Sequence, residues 1–170
     1  MDSAKLQRLV SDLEEAVEQG RKILIYSQFT SMLQLIRNEL ADHNPLYLDG
    51  STTLEERGEL VSRFQKDSSA SLFLLSLKAG GVGLNLTAAD SVFLFDPWWN
   101  EAVEQQAIDR AHRVGRQGTV IARRYITVLS IEEKMMYLKK HKTSLAQGLF
   151  EESSDFGPLS LNDLMQLVVD

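Results

Sequence analysis

The feature of this chain that most constrains its fold is a series of short apolar segments that alternate with segments of helical periodicity. The apolar segments predict five strands, at Lys22–Tyr26, Leu46–Leu48, Leu72–Ser76, Val92–Phe95 and Ile121–Val128. Strands that are apolar throughout are typical of a parallel sheet with helices on both faces, because neither face meets water. The alternation therefore predicts an α/β fold built on a doubly wound, mainly parallel sheet.

Helices are predicted between the strands by apolar residues spaced three and four apart and by capping residues. They are expected at Ala4–Gln19, at Thr30–Ala41, after the Thr53–Glu56 capping box, from Glu101 to Val114 behind Asn100 with Glu104 in its first turn, and from the Ser130–Glu133 capping box to Leu149. A linker, Phe150–Pro158, precedes a short terminal helix. We therefore expect one lobe over residues 1–149 and a linker with a C-terminal helix over residues 150–170.

The composition excludes several kinds of site. The 170 residues include no cysteine, which excludes disulfides, thiolate nucleophiles and Cys-ligated metal centres. The histidines, His43, His112 and His141, are dispersed and lack the spacing of metal ligands, so no metal site is predicted. The formal net charge of −6 argues against a general attraction to nucleic acid and leaves room only for a local patch. Because the apolar stretches are far shorter than the ~18 residues of a membrane span, no membrane partner is expected.

A glycine-rich loop, Lys78–Leu86, follows the third predicted strand, at the sheet edge where ligands of α/β folds bind. It does not fit the dinucleotide fingerprint, because Leu86 stands where a small residue is required, and the chain has no G-x-x-x-x-G-K-[ST] phosphate loop. Backbone amides beside Lys78 could form an anion-binding nest. A turn that merely needs positive φ explains the glycines equally well, so both interpretations stay open.

A polar stripe on the predicted helix after Asn100 carries two arginines. Gln106, Arg110 and Arg113 fall at positions i, i+4 and i+7 of that helix. Two arginines one turn apart can clamp a phosphate through their planar guanidinium groups. A solvated helix face on which Asp109 balances the charge is the alternative interpretation.

Both tryptophans of the chain, Trp98 and Trp99, lie in the loop after the fourth predicted strand. Because neighbouring side chains seldom point the same way, one of them is expected at the surface. An exposed tryptophan can stack on nucleic acid or wedge against it. Contact with a partner protein is the competing interpretation.

Four segments, taken in order, resemble the C-terminal RecA-like lobe of Swi/Snf-type ATPases, which are helicase-related DNA translocases of superfamily two. They are RKILIYSQFTSMLQLI, YLDGSTTLEERGELVSRFQ, LLSLKAGGVGLNLTAADSVFLFDPWWN and EQQAIDRAHRVGRQ. The resemblance runs from about Ser3 to Leu149, and the last helix resembles an extension found in prokaryotic members. It implies a RecA-like fold of the P-loop NTPase type without a phosphate loop of its own. The chain is then the C-terminal half of a DNA-dependent ATPase.

The resemblance implies that ATP binds in the cleft between two such lobes, with Mg²⁺ held by an N-terminal lobe that this chain lacks. Arg110 and Arg113 then look like arginine fingers that reach the γ-phosphate, and Gln106 helps to position them. Gly83 and Asn85 match the motif that couples ATP to DNA, and we count them with the ATP site. Alone, the lobe is expected to hydrolyse ATP negligibly, because nothing in it holds Mg²⁺ or the β-phosphate.

The implied partners are the N-terminal lobe and double-stranded DNA. Residues that match segments touching the phosphate backbone of one DNA strand are Ser27, Gln28, Gly50, Ser51, Thr52, Lys78 and Thr87, with Trp99 as an aromatic contact. Contacts from hydroxyls, amides and one lysine to the backbone carry no sequence information, which suits a motor that steps along any sequence. The family moves along duplex DNA without separating the strands and remodels protein–DNA complexes.

The chain departs from the family pattern at Glu101 and in the segment 112–116, which reads HRVGR where the family usually reads HRIGQ, and it leaves alternatives open. Glu101 stands where the family usually has proline, and Arg116 stands where it usually has glutamine. A non-catalytic module that docks a protein partner through its C-terminal helices is the main alternative. An RNA helicase lobe shares the fold but lacks the DPWWN segment. The expected location is the bacterial cytoplasm, in association with the nucleoid, or the nucleus if the source is eukaryotic.

Overall fold

The computed structural model describes residues 3–79, 83–96, 98, 100–112 and 119–139. The chain divides into two compact units, Met1–Ile126 and Thr127–Asp170. The strands of the first unit are β1 (Ile23–Ser27), β2 (Leu46–Leu48), β3 (Leu72–Ser76), β4 (Ser91–Leu94) and β5 (Ile121–Arg124). Its helices are α1 (Ala4–Glu18), α2 (Thr30–Glu39), α3 (Leu54–Lys66) and α4 (Glu101–Asp109), with a 3-10 turn at Ala41–His43. In the second unit, residues 131–139 are helical.

The five strands form one parallel sheet in the order β2-β3-β1-β4-β5. The central strand is β1, in which Ile23 lies opposite Leu72 of β3 and Ser91 of β4. Every residue of β1, β3 and β4 is buried, as predicted for strands that are covered on both faces. The predicted α/β fold with a doubly wound parallel sheet is confirmed.

Alternation along the strands sorts their side chains into two hydrophobic cores. On one face, Ile23 and Ile25 pack with apolar residues of α1 and α2. On the other face, Leu24 and Tyr26 pack with residues of α3 and α4, among them the fully buried Phe64. Because each large apolar side chain contributes roughly 1.5–3 kcal/mol when fully buried, both layers of helices are needed to hold the sheet.

The fifth strand is shorter than predicted. The apolar run indicated Ile121–Val128, but β5 ends at Arg124. It is the edge strand next to β4, and Arg124 lies opposite Leu94, the last residue of β4. Because β4 offers no ladder position beyond Leu94, the run cannot continue as a strand, and Tyr125 instead packs into the core of the α1–α2 face.

The fourth helix also ends earlier than predicted. The sequence indicates one helix from Glu101 to Val114, but α4 ends at Asp109 and Arg110–His112 form a turn. The carbonyl of Arg110 accepts a hydrogen bond from Leu86 N–H at 3.1 Å. That carbonyl is therefore engaged by the glycine-rich loop, outside the helix.

The predicted capping residues are in place at the starts of α3 and α4. The Thr53 hydroxyl accepts from Glu56 N–H at 3.3 Å, and the Glu56 carboxylate accepts from Thr53 N–H at 2.8 Å, which completes the capping box. The Asn100 side chain accepts from Ala102 N–H at 3.1 Å. These caps fix where the two helices leave the loops at the sheet edge.

In the second unit, the predicted Ser130–Glu133 capping box has a different pattern. The Ser130 hydroxyl accepts from Glu132 N–H at 3.2 Å. The Glu133 carboxylate accepts from Leu129 N–H at 2.7 Å, one residue before the position that a reciprocal box requires. Leu129 has a positive φ of 56° and belongs to the turn before the helix.

Several predictions concern residues outside the described ranges. They are the end of the last helix near Leu149, the linker Phe150–Pro158, the terminal helix and the boundary between residues 149 and 150, and they stay predictions. In the part of the chain that the structure describes, no helix is both long and apolar enough to span a bilayer.

Candidate functional site

The candidate site lies at the edge where the parallel strands end. The loops after β1, β2, β3 and β4 all leave the sheet at this edge, because all four strands run in the same direction. Backbone hydrogen bonds tie the first residues after β3 and β4 to the end of β1: Leu77 N–H donates to Ser27 C=O at 3.0 Å, and Phe95 N–H donates to Tyr26 C=O at 2.9 Å. The fold therefore brings the loops predicted to contact DNA to one edge of the sheet.

Ser27, at the end of β1, has a fully buried side chain. Its hydroxyl is hydrogen-bonded to the carboxylate of Asp96, which follows β4, and accepts from Phe29 N–H at 3.1 Å. Lys5 of α1 lies 4.0 Å from that carboxylate, with its ammonium 4.7 Å from the ring centroid of Phe95. Ser27 thus ties two loops together and does not present its hydroxyl at the surface, and its contact with DNA stays a prediction.

The loop after β2 is organised around Asp49. Its carboxylate accepts from Ser51 N–H at 2.9 Å, from the Ser51 hydroxyl at 2.6 Å and from the Tyr47 hydroxyl at 2.9 Å. The Thr52 hydroxyl accepts from Asp49 N–H at 3.0 Å. The Ser51 hydroxyl holds the pKa of Asp49 below its usual range, although burial opposes this shift. Gly50 and Ser51 are exposed, but both donors of Ser51 bond to Asp49, so a phosphate there would have to share them.

The glycine-rich loop contributes an exposed cation and a backbone that only glycine adopts readily. Lys78 is exposed, and Ala79 N–H donates to the buried Ser76 hydroxyl at 3.2 Å. Gly83 has φ of +61°, a left-handed conformation that disfavours a side chain. The sequence left open whether the glycines serve a turn or an anion nest. At Gly83 the need for positive φ is real, whereas residues 80–82 lie outside the described residues.

The segments predicted to contact ATP adjoin one another. Leu86 N–H, one residue after the exposed Asn85, donates to the carbonyl of Arg110 at the end of α4. Gln106 is exposed one turn before Arg110, which is half-buried. Burial raises the pKa of Tyr26 far above its usual value, and the positive charge of Arg110 offsets this only in part. The Tyr26 hydroxyl finds no hydrogen-bond partner among the described residues.

The tryptophan loop is held by Glu104, a residue that the sequence placed only in the first turn of α4. Its side chain is 1% exposed, accepts from Trp98 N–H at 2.6 Å and pairs with Arg124 of β5 at 2.9 Å. Trp98 itself is half-buried against the α3–α4 core. No sequence signal separates this glutamate from an exposed one, because both of its partners are supplied by the tertiary fold.

Two further residues that sequence reasoning missed project from α3. Arg57 donates to three carbonyl groups, those of Thr52, Asp49 and Ala79, at 2.9, 3.3 and 3.5 Å. Gln65 donates to Asn85 C=O at 2.7 Å. Both bind backbone atoms of loops from other parts of the chain, which leaves no pattern in the sequence.

Comparison with known proteins agrees with this arrangement. Residues 4–115, well over half of the chain, match the family described as the helicase conserved C-terminal domain. The chain belongs to this family. The helicase domain spans only 11% to 16% of the length of the curated relatives that it matches.

The proteins that this helicase domain resembles include a DNA repair protein and solved SWI2/SNF2 ATPase structures. It is 41% identical over 170 residues to the DNA repair protein RAD5 of Cryptococcus neoformans, covering 97% of this chain and 14% of that protein. It is similar to the crystal structure of the C-terminal part of the Fun30 ATPase domain, with a TM-score of 0.77, 35% identity, and coverage of 97% of this chain and 49% of that one. It is also similar to the Sulfolobus solfataricus SWI2/SNF2 ATPase core in complex with dsDNA, with a TM-score of 0.71, 38% identity, and coverage of 84% and 30%. The predicted RecA-like lobe of the Swi/Snf type is confirmed.

Some predicted site residues of the helicase domain lie outside the described residues. They are Arg113 and Trp99, together with Arg116, and their roles stay predictions. Gln28 and Thr87 are half-buried beside the loops already described. Within the described ranges, no group of three or more His, Asp or Glu side chains is placed to hold a metal ion.

Proposed function

We propose that this helicase domain is the second motor lobe of an ATP-dependent translocase on double-stranded DNA, of the kind that remodels chromatin. It supplies arginine fingers to ATP bound by an N-terminal lobe, and it carries half of the surface along which the DNA lies. One observation carries the proposal: the hydrogen bond from Leu86 N–H to Arg110 C=O. It joins the loop assigned to ATP–DNA coupling with the segment assigned to the fingers.

On the ATP side, the proposed contacts are Gln106, Gly83, Asn85, Arg110 and Arg113. A guanidinium group at the γ-phosphate stabilises the negative charge of the transition state and can be worth ~10³–10⁵ in rate. Arg110 is anchored through its own carbonyl, so its side chain starts from a fixed backbone. We assign Mg²⁺ and the β-phosphate to the N-terminal lobe.

On the DNA side, the proposed contacts are the loops at the sheet edge. Exposed Gly50, Ser51 and Lys78 supply amides, a hydroxyl and one cation, the groups that bind phosphate without reading bases. Thr52 follows Ser51 after β2, Thr87 lies between β3 and β4, and Ser27 and Gln28 lie at the end of β1. Trp99 is the proposed aromatic contact. The complex of the Sulfolobus relative with dsDNA supports a duplex as the substrate.

The arginine assignment is tested by Arg113→Ala in the two-lobed ATPase. We expect hydrolysis to fall by at least ~10³ while the affinity for duplex DNA is kept, because the finger acts on the transition state. The measurements are steady-state ATP hydrolysis and DNA binding by fluorescence anisotropy. Arg63→Ala is the control, since Arg63 is an exposed residue of α3 that pairs with Asp67, the residue after the helix, at 3.5 Å. Unchanged hydrolysis in Arg113→Ala would overturn the assignment.

Two finer predictions accompany the proposal. A motor on DNA is expected where DNA is, in the nucleoid of a bacterial cytoplasm or in a nucleus. A protein partner that binds the C-terminal helices involves residues outside the described ranges and stays a prediction.

A further inference from the structure

Helix α3 is hydrogen-bonded at one end to the loops that carry the proposed DNA contacts Ser51 and Lys78. At its other end it is hydrogen-bonded to the segment that carries Asn85, a proposed ATP contact, and Thr87, a proposed DNA contact. Arg57 makes the first set of bonds near the start of the helix, and Gln65 makes the second near its end. The two residues are eight positions apart, or about 12 Å along the helix axis. Helix α3 therefore bridges two parts of the candidate site.

Arg57 fixes the first end of this bridge. Its guanidinium donates to the carbonyls of Asp49 and Thr52 in the loop after β2 and to that of Ala79 after β3. A planar guanidinium has a rigid set of donors, so three carbonyl partners fix the relative position of the two loops. Lys78, the exposed cation among the proposed DNA contacts, is the neighbour in sequence of Ala79, whose carbonyl is one of the three.

Gln65 fixes the second end by using both sides of its amide. Its Nε2 donates to Asn85 C=O at 2.7 Å, and its Oε1 accepts from Ala88 N–H at 2.9 Å. The clamped segment includes Leu86, whose N–H donates to the carbonyl of Arg110. A continuous set of hydrogen bonds thus runs from Arg57 through α3 to the residue proposed as a finger.

The helix between the two residues is well anchored. Its start is capped by Thr53 and Glu56, and Phe64, the neighbour of Gln65, is fully buried against Phe73 with ring centroids 5.4 Å apart. A displacement of the DNA-side loops would therefore move α3 as a unit, since packed helices shift as rigid elements.

We propose that Arg57 and Gln65 are positioning residues that make α3 a strut between the DNA-contact loops and the segment carrying Arg110, so that stimulation of ATP hydrolysis by DNA depends on both. This inference rests on the proposed function. Neither residue touches ATP or DNA in the proposal: Arg57 bonds to backbone carbonyls, and Gln65 bonds to the backbone of Asn85 and Ala88 and to the Thr87 hydroxyl at 3.4 Å.

The test is a double-mutant cycle in the two-lobed ATPase, with Arg57→Lys and Gln65→Glu. Lysine cannot bind three carbonyls as a fork. Glutamate keeps the shape and the bond from Ala88 N–H but loses the donor to Asn85 C=O. We expect each variant to lower the ratio of DNA-stimulated to DNA-independent kcat about tenfold, the effect of losing one or two hydrogen bonds. Arg63→Ala on the same helix is the control and should keep the ratio.

The double variant separates a strut from two independent stabilising contacts. If α3 transmits the effect, the ratio in the double variant falls no further than in either single variant, while the losses in folding stability add, as expected for sites more than about 10 Å apart. Two results would overturn the proposal that α3 is a strut. One is a ratio that stays at the wild-type value in the single variants, and the other is a ratio in the double variant that falls by the product of the two single effects. A wild-type ATPase that DNA does not stimulate would instead overturn the proposed function, so the two failures are distinct.

Discussion

Two exposed glycines that differ in backbone conformation should respond oppositely to alanine. Gly83 has φ of +61°, and Gly58 lies inside α3 without a positive φ, while an added Cβ would meet nothing within 4 Å at either position. The backbone conformation alone therefore decides whether alanine stabilises or destabilises the fold at each position. We expect Gly83→Ala to lower the free energy of unfolding by about 1 kcal/mol, since a left-handed residue with a Cβ is strained.

At Gly58 the same substitution should raise the free energy of unfolding by about 1 kcal/mol, since alanine is the better helix former. The measurement is urea unfolding of this chain and both variants, followed by tryptophan fluorescence. Each substitution serves as the control for the other. Equal shifts, or shifts in the reverse order, would contradict this account of the glycine-rich loop.

Residue roles were predictable from the sequence where they depend on near neighbours. Thr53, Glu56 and Asn100 cap helices as predicted, because each partner lies within three positions. Glu104 and Arg57 were not predictable, since Glu104 binds Arg124 twenty residues away and Arg57 binds backbone that any sequence provides. Tertiary hydrogen bonds to carbonyl groups leave no compositional signal.

A buried carboxylate ties α1 to the end of β5. Asp12 accepts from the Tyr125 hydroxyl at 2.8 Å and pairs with Arg123 at 2.8 Å and with Arg8 at 3.0 Å. Burial by itself would raise the pKa of Asp12, but the hydrogen bonds from Tyr125 and Arg123 and the charges of the arginines outweigh it and hold the pKa below its usual value. The contact therefore stabilises the folded state only while Asp12 is ionised.

We expect Asp12→Asn to lower the free energy of unfolding by about 1.5–3 kcal/mol at pH 7, the range for hydrogen bonds to a charged group. Because the folded-state pKa lies below the unfolded value of about 3.9, this stabilisation is present above that value and is lost as the pH falls through the folded pKa. Urea unfolding of both proteins between pH 7 and pH 3 measures the difference. If the difference in the free energy of unfolding between the two proteins does not become smaller at acid pH, the assignment is contradicted. Asp109→Asn, at an exposed site, is the control.

The elements of the sheet were predictable because burial on both faces leaves a continuous apolar run. The strands β1, β2 and β3 appear where the runs indicated them, to within a residue at each end. The strand predicted from the run Ile121–Val128 was too long, since β5 is an edge strand whose length is set by β4. The end of α4 was missed for a related reason, because Leu86, a residue far away in the sequence, engages the carbonyl of Arg110.

The molecule places the described parts of the loops after β1, β2, β3 and β4 where these parallel strands of one sheet end. The resemblance of four sequence segments was enough to predict the family and the fold, and the match over residues 4–115 confirms the family. What the sequence could not supply is how the loops are held, by Ser27 with Asp96, by Glu104 and by α3. The central claim that follows is that this domain is half of a motor, competent only beside its N-terminal lobe.

The most direct test of that claim is steady-state ATP hydrolysis by this domain alone, by the N-terminal lobe alone and by the two joined in one chain, each with and without duplex DNA. Negligible hydrolysis by either lobe and DNA-stimulated hydrolysis by the joined lobes are the predicted results. Hydrolysis by this domain alone, or joined lobes that duplex DNA does not stimulate, would contradict the account.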